Sequence, residues 1–160
     1  PGRTVSKPLF GYKGRGILLL DAGDPARLAD LIENSGVVYL QEFLESTAPR
    51  PRDIRVFVVG SRAAAAIYRV APPGSWISNL SQGGAPERCP LTGEIEDLAL
   101  RANGAVGTVY SGVDLIETAS GPVVLEVNGT PSGRGVYQAW GIDVGEMIAG
   151  HLLEKLVGSG

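Results

Sequence analysis

The chain has 160 residues, 44% of them hydrophobic, and a formal net charge of −3. This length supports one sizeable core or two small lobes that share a cleft. No apolar run approaches the roughly 18 residues of a membrane-spanning helix, and the acidic balance with scattered arginines argues against a nucleic-acid surface. The single cysteine and an N-terminus without the apolar core of a secretory signal lead us to expect a cytoplasmic protein.

The first part of the chain has the pattern of a hairpin followed by a helix and a further strand. Short apolar runs flank a glycine-rich loop at residues 11–16, which is typical of a hairpin. Asp24-Pro25 suits a helix start, because aspartate caps free backbone amides and proline fits the first helical turn. The predicted elements are, in order, a strand at 5–10, a strand at 17–20, a helix from 24 to 36 and a strand at 37–43.

The remainder of the chain predicts two further hairpins and two helices. Gly60-Ser61 and Ala119-Ser120-Gly121 are turn sequences between apolar runs, and residues 71–90 predict a long loop of functional or disordered character. The predicted elements are strands at 54–59 and 63–70, a helix at 92–105, strands at 108–118 and 122–128, and a helix from residue 143. We expect the last helix to bury Val144, Met147, Ile148, Leu152 and Leu156.

The fold class that follows is α+β, built on antiparallel hairpins with one layer of helices. The sharpest chemical pattern lies on the last predicted hairpin. Glu126 and Asn128 are two residues apart on a strand, so they point from the same face. A three-residue loop at 119–121 would place Asp114 directly opposite Glu126.

Opposed carboxylates destabilise a strand pair. A divalent cation would remove this penalty, and Mg²⁺ takes carboxylate and amide oxygens, usually together with phosphate oxygens. Asp114, Glu126 and Asn128 are therefore candidate metal ligands. The alternative is a solvent-facing strand that carries incidental acids.

The glycine-rich loop, Gly11-Tyr12-Lys13-Gly14-Arg15-Gly16, is compatible with phosphate binding through backbone amides. A P-loop would need Gly-Lys-Ser/Thr before a helix, and a dinucleotide fingerprint would need a third glycine that opens a helix; the sequence has neither. A glycine flap between two strands remains, and Lys7 is near enough to add positive charge. The alternative is a mobile hairpin tip without a ligand.

Taken in order, these segments resemble the ATP-grasp superfamily and, within it, the RimK-like branch of amino-acid ligases, many of which add glutamate. The resemblance covers nearly the whole chain and rests on residues 6–16, 39–44, 53–60, 65–69, 76–84, 112–114 and 126–128. It implies an ATP-grasp fold, in which antiparallel sheets with helices form two small lobes that enclose the nucleotide. Residues 1–45 would belong to the smaller lobe, with the glycine flap and adenine hinge, and residues 46–160 would form the C-terminal lobe with the metal site. The family's N-terminal domain would be absent.

The resemblance also implies roles for individual residues. The ATP-binding residues would be Lys7, Gly11, Gly14, Gly16, Gln41, Glu42, Phe43, Leu44, Asp53, Ser78 and Asn79. The arginines at the reacting phosphates would be Arg55 and Arg69. The ligands of Mg²⁺ or Mn²⁺ would be Asp114, Glu126 and Asn128. Residues 128–135 resemble pterin-cofactor glutamate ligases more than ribosomal-protein modifiers.

The implied activity is ATP-dependent, ADP-forming synthesis of an amide or peptide bond through an acyl phosphate. The partners would be ATP, a carboxylate substrate on a small molecule or peptide, and glutamate or a similar amino acid; homo-oligomerisation stays open. The rival from another class is a truncated ATP/Mg-binding module that catalyses nothing on its own. A protein-kinase lobe is rejected, because the sequence contains no His-Arg-Asp or Asp-Phe-Gly motif.

Overall fold

Antiparallel strands dominate the chain, as the hairpin patterns predict. The computed structural model describes residues 2–10, 14–21 and 23–157. The chain divides into two units, Pro1–Glu45 and Ser46–Gly160. The α+β class is confirmed, with all strand pairs antiparallel among the described residues.

The first unit is a three-stranded sheet with one helix. Its elements are β1 (Thr4–Lys7), β2 (Leu18–Leu20), α1 (Pro25–Ser35) and β3 (Tyr39–Glu42). β1 lies in the centre of the sheet, between β2 and β3. The predicted start of α1 is confirmed, because the Asp24 side chain accepts a hydrogen bond from the Arg27 amide at 3.0 Å.

The second unit is a five-stranded sheet with helices on both faces. Its elements are β4 (Arg52–Val59), β5 (Arg62–Val70), a 3₁₀ turn (Leu80–Gln82), β6 (Ala85–Cys89), α2 (Gly93–Val106), β7 (Tyr110–Thr118), β8 (Gly121–Asn128), α3 (Arg134–Trp140) and α4 (Val144–Val157). The strand order is β6-β5-β4-β7-β8. β4 therefore occupies the centre of the sheet, and buried residues lie on both of its faces.

The two faces of β4 pack against different helices. On one face a cluster joins β4 to α2 and contains Ile54, Val56, Val58, Ile95 and Ala99. On the other face a second cluster joins β4 and β5 to α3 and α4, and contains Phe57, Ala65, Ile67, Val136 and Val144. The prediction of one helix layer is therefore wrong, because helices cover both faces of the sheet.

Three elements lie where the sequence analysis expects only loop. β6 and the 3₁₀ turn lie within residues 71–90, and α3 lies between the two predicted C-terminal elements. β6 escaped prediction because Pro86, Glu87 and Arg88 interrupt any apolar alternation, as is common at a sheet edge. α3 has only seven residues, too few to show a helical period.

The last helix is correctly placed, but its predicted burial is wrong in part. Val144 is buried, whereas Leu152 is 53% and Leu156 is 76% exposed. Helical spacing shows which residues share a face, but not how far a neighbouring element covers that face. Within the described ranges, every helix is too short or too polar to cross a membrane.

The hairpin loop between β7 and β8 is shorter than predicted. Thr118 pairs with Gly121, which leaves two loop residues, Ala119-Ser120. Gly121 has a φ of 105°, a backbone conformation that favours glycine. If the shorter loop were the only difference, every strand pair farther from the loop would be displaced by one residue from the predicted register.

A register shift on β8 restores the predicted pairing. The register changes between Asp114 and Leu115, where Leu125 adds one residue to β8, as in a β-bulge. Asp114 consequently pairs with Glu126. This predicted pair is confirmed, although a two-residue loop and a bulge produce it instead of a three-residue loop.

Two leucine-to-alanine substitutions test this account of the core. Leu115 is 0% exposed and Leu152 is 53% exposed. We expect Leu115→Ala to lower the free energy of unfolding by about 2–5 kcal/mol, because it removes packed atoms and leaves a cavity. Leu152→Ala should lower it by less than about 1 kcal/mol. Urea denaturation measures both values, and equal losses would contradict the exposure of this part of α4.

Candidate functional site

Six of the predicted site residues share one face of the five-stranded sheet: Asp53, Arg55, Arg69, Asp114, Glu126 and Asn128. The strand register explains this arrangement. Asp53 pairs with Arg69, and the row Arg55, Asp114 and Glu126 runs across three adjacent strands. Since side chains alternate between the faces of a sheet, all six project away from the α2 side.

Arg69 connects two buried aspartates. Its Nε and Nη2 atoms donate to Oδ1 and Oδ2 of Asp53 at 2.6 and 2.5 Å, and Nη2 also donates to Oδ2 of Asp114 at 2.7 Å. Arg69, Asp53 and Asp114 are 3%, 8% and 2% exposed. Buried charges are costly unless they are paired and hydrogen-bonded, and here each carboxylate accepts from a guanidinium.

Arg55 lies on the other side of Asp114. Its Nε and Nη2 atoms donate to Oδ1 and Oδ2 of Asp114 at 2.6 and 2.7 Å. The same Nη2 lies 3.9 Å from Oε1 of Glu126, whose side chain is 50% exposed. Arg55 is therefore the positively charged neighbour of both predicted metal-binding carboxylates, of which the outer one reaches solvent.

Burial and ion pairing oppose one another at these aspartates. Burial by itself would raise the pKa of Asp114, but Arg69 and Arg55 outweigh it and hold the pKa below its ordinary value. Burial raises the pKa of Asp53 above its ordinary value, although Arg69 and Ser78 oppose this. Asp114 therefore keeps the ionised form that a cation ligand requires.

The loop between β5 and β6 is tied to this cluster through Ser78. The Ser78 hydroxyl donates to Oδ2 of Asp53 at 2.6 Å, and Ser78 is buried. The Gly84 amide donates to the carbonyl of Asn79 at 3.3 Å, and a Cβ atom at Gly84 would clash with the carbonyl of Ser78. Of the two predicted ATP contacts in this loop, Ser78 thus contacts Asp53 and Asn79 shapes the loop backbone.

Asp114, Glu126 and Asn128 carry the oxygen donors that Mg²⁺ or Mn²⁺ binds. Asp114 and Glu126 offer carboxylate oxygens, and Asn128 offers an amide oxygen that also accepts from the Thr130 amide at 2.9 Å. Nucleotide-bound Mg²⁺ needs only one or two carboxylates, because phosphates and water complete its shell. No group of three or more His, Cys, Asp or Glu side chains suited to a metal occurs in the part of the chain that the structure describes.

The predicted nucleotide contacts of the first unit lie along β1 and β3. Lys7 ends β1, whereas Gln41 and Glu42 pair with the beginning of β1, about 10 Å away at the usual strand spacing. Phe43 and Leu44 follow directly and are half-buried. The predicted phosphate and adenine contacts of this unit therefore lie at opposite ends of one strand pair.

The predicted glycine flap is described only in part. Gly11 lies outside the described residues, as do Tyr12 and Lys13. Gly14 and Gly16 lie in the turn before β2 with φ values of 75° and 76°, which favour glycine.

The pairing of Asp53 with Arg69 is a feature that sequence reasoning missed. The turn at Gly60-Ser61 predicts the hairpin of β4 and β5, and counting back from it brings Asp53 within one residue of Arg69. A register shift between Phe57 and Val58 produces the observed register. The bond from Ser78 to Asp53 has no comparable sequence signal, because a loop separates Ser78 from β5.

Comparison with known proteins gives relatives along nearly the whole chain. A family model described as the RimK-like ATP-grasp domain matches residues 3–152. The tetrahydromethanopterin:alpha-L-glutamate ligase of Methanosarcina acetivorans is 42% identical over 94% of this chain and 55% of its own length. A probable alpha-L-glutamate ligase of Trichodesmium erythraeum is 38% identical over 98% of this chain and 52% of its own length. The chain thus spans about half the length of these relatives.

A solved structure has the same fold. The ATP-grasp ligase PsnB, in complex with a phosphomimetic variant of its minimal precursor, Mg and ADP, matches with a TM-score of 0.71 and 26% sequence identity. The match covers 97% of this chain and 47% of that protein.

Two arginine-to-methionine substitutions test the importance of the buried ion pairs. The side chain of Arg69 is 4% exposed, whereas that of Arg101, which pairs with Asp97 on α2, is 68% exposed. We expect Arg69→Met to cost about 3–5 kcal/mol of unfolding free energy, because two buried carboxylates lose a partner. Arg101→Met should cost at most about 1 kcal/mol. Urea denaturation compares them, and a small loss for Arg69→Met would contradict this account of the cluster.

Proposed function

Because the chain belongs to the RimK-like ATP-grasp domain family, we propose that it binds ATP with Mg²⁺ and serves a ligase that joins a carboxylate to the amino group of glutamate or a similar amino acid. The observation that carries this proposal is the row of Arg55, Asp114 and Glu126 across β4, β7 and β8. Two opposed carboxylates repel one another in a sheet, and Arg55 is a cation that lies beside both of them. They suit a site that binds a metal and phosphates.

The proposed reaction has two steps. An oxygen of the substrate carboxylate attacks the γ-phosphorus of ATP, and ADP leaves as the acyl phosphate forms. The amino nitrogen then attacks the acyl carbon, inorganic phosphate leaves, the nitrogen loses a proton, and an amide results. Neither step needs a covalent bond to the protein, so the protein contributes positioning and charge.

Mg²⁺ bound by Asp114, Glu126 and Asn128 would neutralise negative charge on the phosphate oxygens. The two arginines beside this site would have different roles. Arg55 adjoins the half-exposed Glu126, so we propose that Arg55 donates to phosphate oxygens.

Arg69 would position another residue and would not contact the phosphates. It is buried between Asp53 and Asp114, and we propose that it acts by positioning Asp114. Asp53, in turn, positions Arg69 and Ser78. We also propose that Asn79 and the predicted ATP-binding residues of the first unit contact the nucleotide.

The names of the relatives favour glutamate as the amino acid. Tetrahydromethanopterin:alpha-L-glutamate ligases share 42% identity with this chain, which favours a carboxylate on a pterin-type small molecule as the acceptor. PsnB, which was solved with its precursor peptide, shares 27% identity. We therefore propose a small-molecule acceptor ahead of a peptide.

A second candidate function is nucleotide binding without independent catalysis. It is favoured by the family model, which describes residues 3–152 as an ATP-grasp domain. Both candidates require the same nucleotide and metal site. They differ in whether this chain alone converts ATP to ADP.

Calorimetric titration with ATP, in the presence and absence of Mg²⁺, tests the site. We expect Mg²⁺ to tighten ATP binding, and Glu126→Gln to remove about 1.5–3 kcal/mol of this gain, because a charged ligand becomes neutral. The matched control is Glu117→Gln on β7. Glu117 pairs with Arg52 at 2.8 and 3.0 Å, and its strand position places it on the opposite face of the sheet.

The titration tests both the assignment of Glu126 to the metal and the choice between the two candidate functions. Equal effects of Glu126→Gln and Glu117→Gln would contradict the metal assignment. Mg²⁺-dependent binding without any ADP formation, in the presence of glutamate and a pterin carboxylate, would favour the second candidate.

A further inference from the structure

We propose that Arg55, which lies against both Asp114 and Glu126, competes with the divalent cation for these carboxylates and moves away from them when the cation binds. This inference rests on the proposed function, since it concerns the same three metal ligands. It adds that one side chain serves first as a substitute for the metal and afterwards as a phosphate ligand.

The geometry places one guanidinium against both carboxylates. Arg55 Nε and Nη2 lie 2.6 and 2.7 Å from the two oxygens of Asp114, and Nη2 lies 3.9 Å from Oε1 of Glu126. A cation that bound both carboxylates would lie in the same region. Arg55 and the metal therefore compete for Asp114.

The sheet holds Arg55 in this place. A Cβ atom at Gly112 would lie 3.3 Å from Arg55 Nε and 2.8 Å from Cβ of Pro131. The absence of a side chain at Gly112 thus leaves room for the guanidinium to lie along β7. Pro131 is itself fixed, because the Tyr110 hydroxyl donates to its carbonyl at 2.7 Å.

Asp114 can lose Arg55 and still keep a partner. Nη2 of Arg69 donates to its Oδ2 atom, while Oδ1 accepts from Arg55 Nε. Departure of Arg55 would therefore expose Oδ1 without leaving a buried carboxylate unpaired.

Charge balance favours the exchange. Arg55 brings one positive charge to two carboxylates, whereas a divalent cation brings two. With the cation bound, the charge of Arg55 becomes available, and its planar fork of donors suits phosphate oxygens. Metal loading would thus be coupled to the delivery of an arginine to the nucleotide.

Binding of Mn²⁺ alone, measured by electron paramagnetic resonance without nucleotide, tests the exchange. We expect Arg55→Gln to bind Mn²⁺ at least about tenfold more tightly than the wild-type chain, because a competing charge is removed that contacts Asp114 at 2.6 Å and lies 3.9 Å from Glu126. Arg52→Gln is the matched control. Arg52 lies on the same strand, pairs with Glu117 and faces away from the proposed site, so its Mn²⁺ affinity should equal that of the wild type.

Further variants distinguish failure of the exchange from failure of the metal site. Adding Glu126→Gln to Arg55→Gln should abolish the gain. Unchanged or weaker Mn²⁺ binding by folded Arg55→Gln would overturn the exchange, and the proposed function would survive if wild-type ATP binding still depended on Mg²⁺ and Glu126. A gain that persisted without Glu126 would overturn both.

A conservative variant covers the case in which Arg55→Gln does not fold, as judged by thermal unfolding. Arg55→Lys keeps the positive charge but loses the bidentate hydrogen bonding to Asp114. It should bind Mn²⁺ more tightly than the wild type, because the ammonium group competes less strongly for Asp114. Affinity equal to or below the wild type would overturn the exchange.

Discussion

Arg69, Asp53 and Asp114 are buried side by side on one face of the five-stranded sheet, Arg55 adjoins them, and their pairing constrains the rest of that face. Arg69 holds Asp53 and Asp114, and Arg55 holds Asp114 from the opposite side. Removing one member leaves a charge in a region of little water, which is far more costly than breaking an exposed ion pair. The strand register brings the members of this cluster together. Ser78 ties the loop between β5 and β6 to Asp53, and the half-exposed Glu126 adjoins Arg55.

Much of the fold was accessible from the sequence, because hairpins and amphipathic helices leave local signals. The assignments to the ATP-grasp fold and to the RimK-like branch are confirmed. They rested on several weak motifs in a fixed order, of which the pair Asp114 and Glu126 was the most informative. That pair was correctly placed although its loop was not, because Leu125 compensates for the missing loop residue.

Features that depend on tertiary contacts were not accessible. β6 owes its strand conformation to hydrogen bonds with β5, and α3 is held by packing against the sheet at Val136. Exposure of Leu152 depends on how far the sheet extends beneath α4. The same limit applies to the site, since the sequence indicated that Arg55, Arg69 and Asp114 carry the chemistry but not that they contact one another. Which of them contacts ATP remains a prediction.

Paramagnetic broadening by Mn²⁺ with ADP, followed residue by residue in amide NMR spectra, most directly tests whether this face of the sheet is the metal and nucleotide site. The account predicts that Mn²⁺ selectively broadens the amide signals of residues 112–114 and 126–128, and that Ala99 on α2, across the sheet, is much less affected. Paramagnetic broadening falls steeply with distance, so the pattern locates the metal. Broadening centred on α2 or on the exposed end of α4, with residues 126–128 unaffected, would contradict the account.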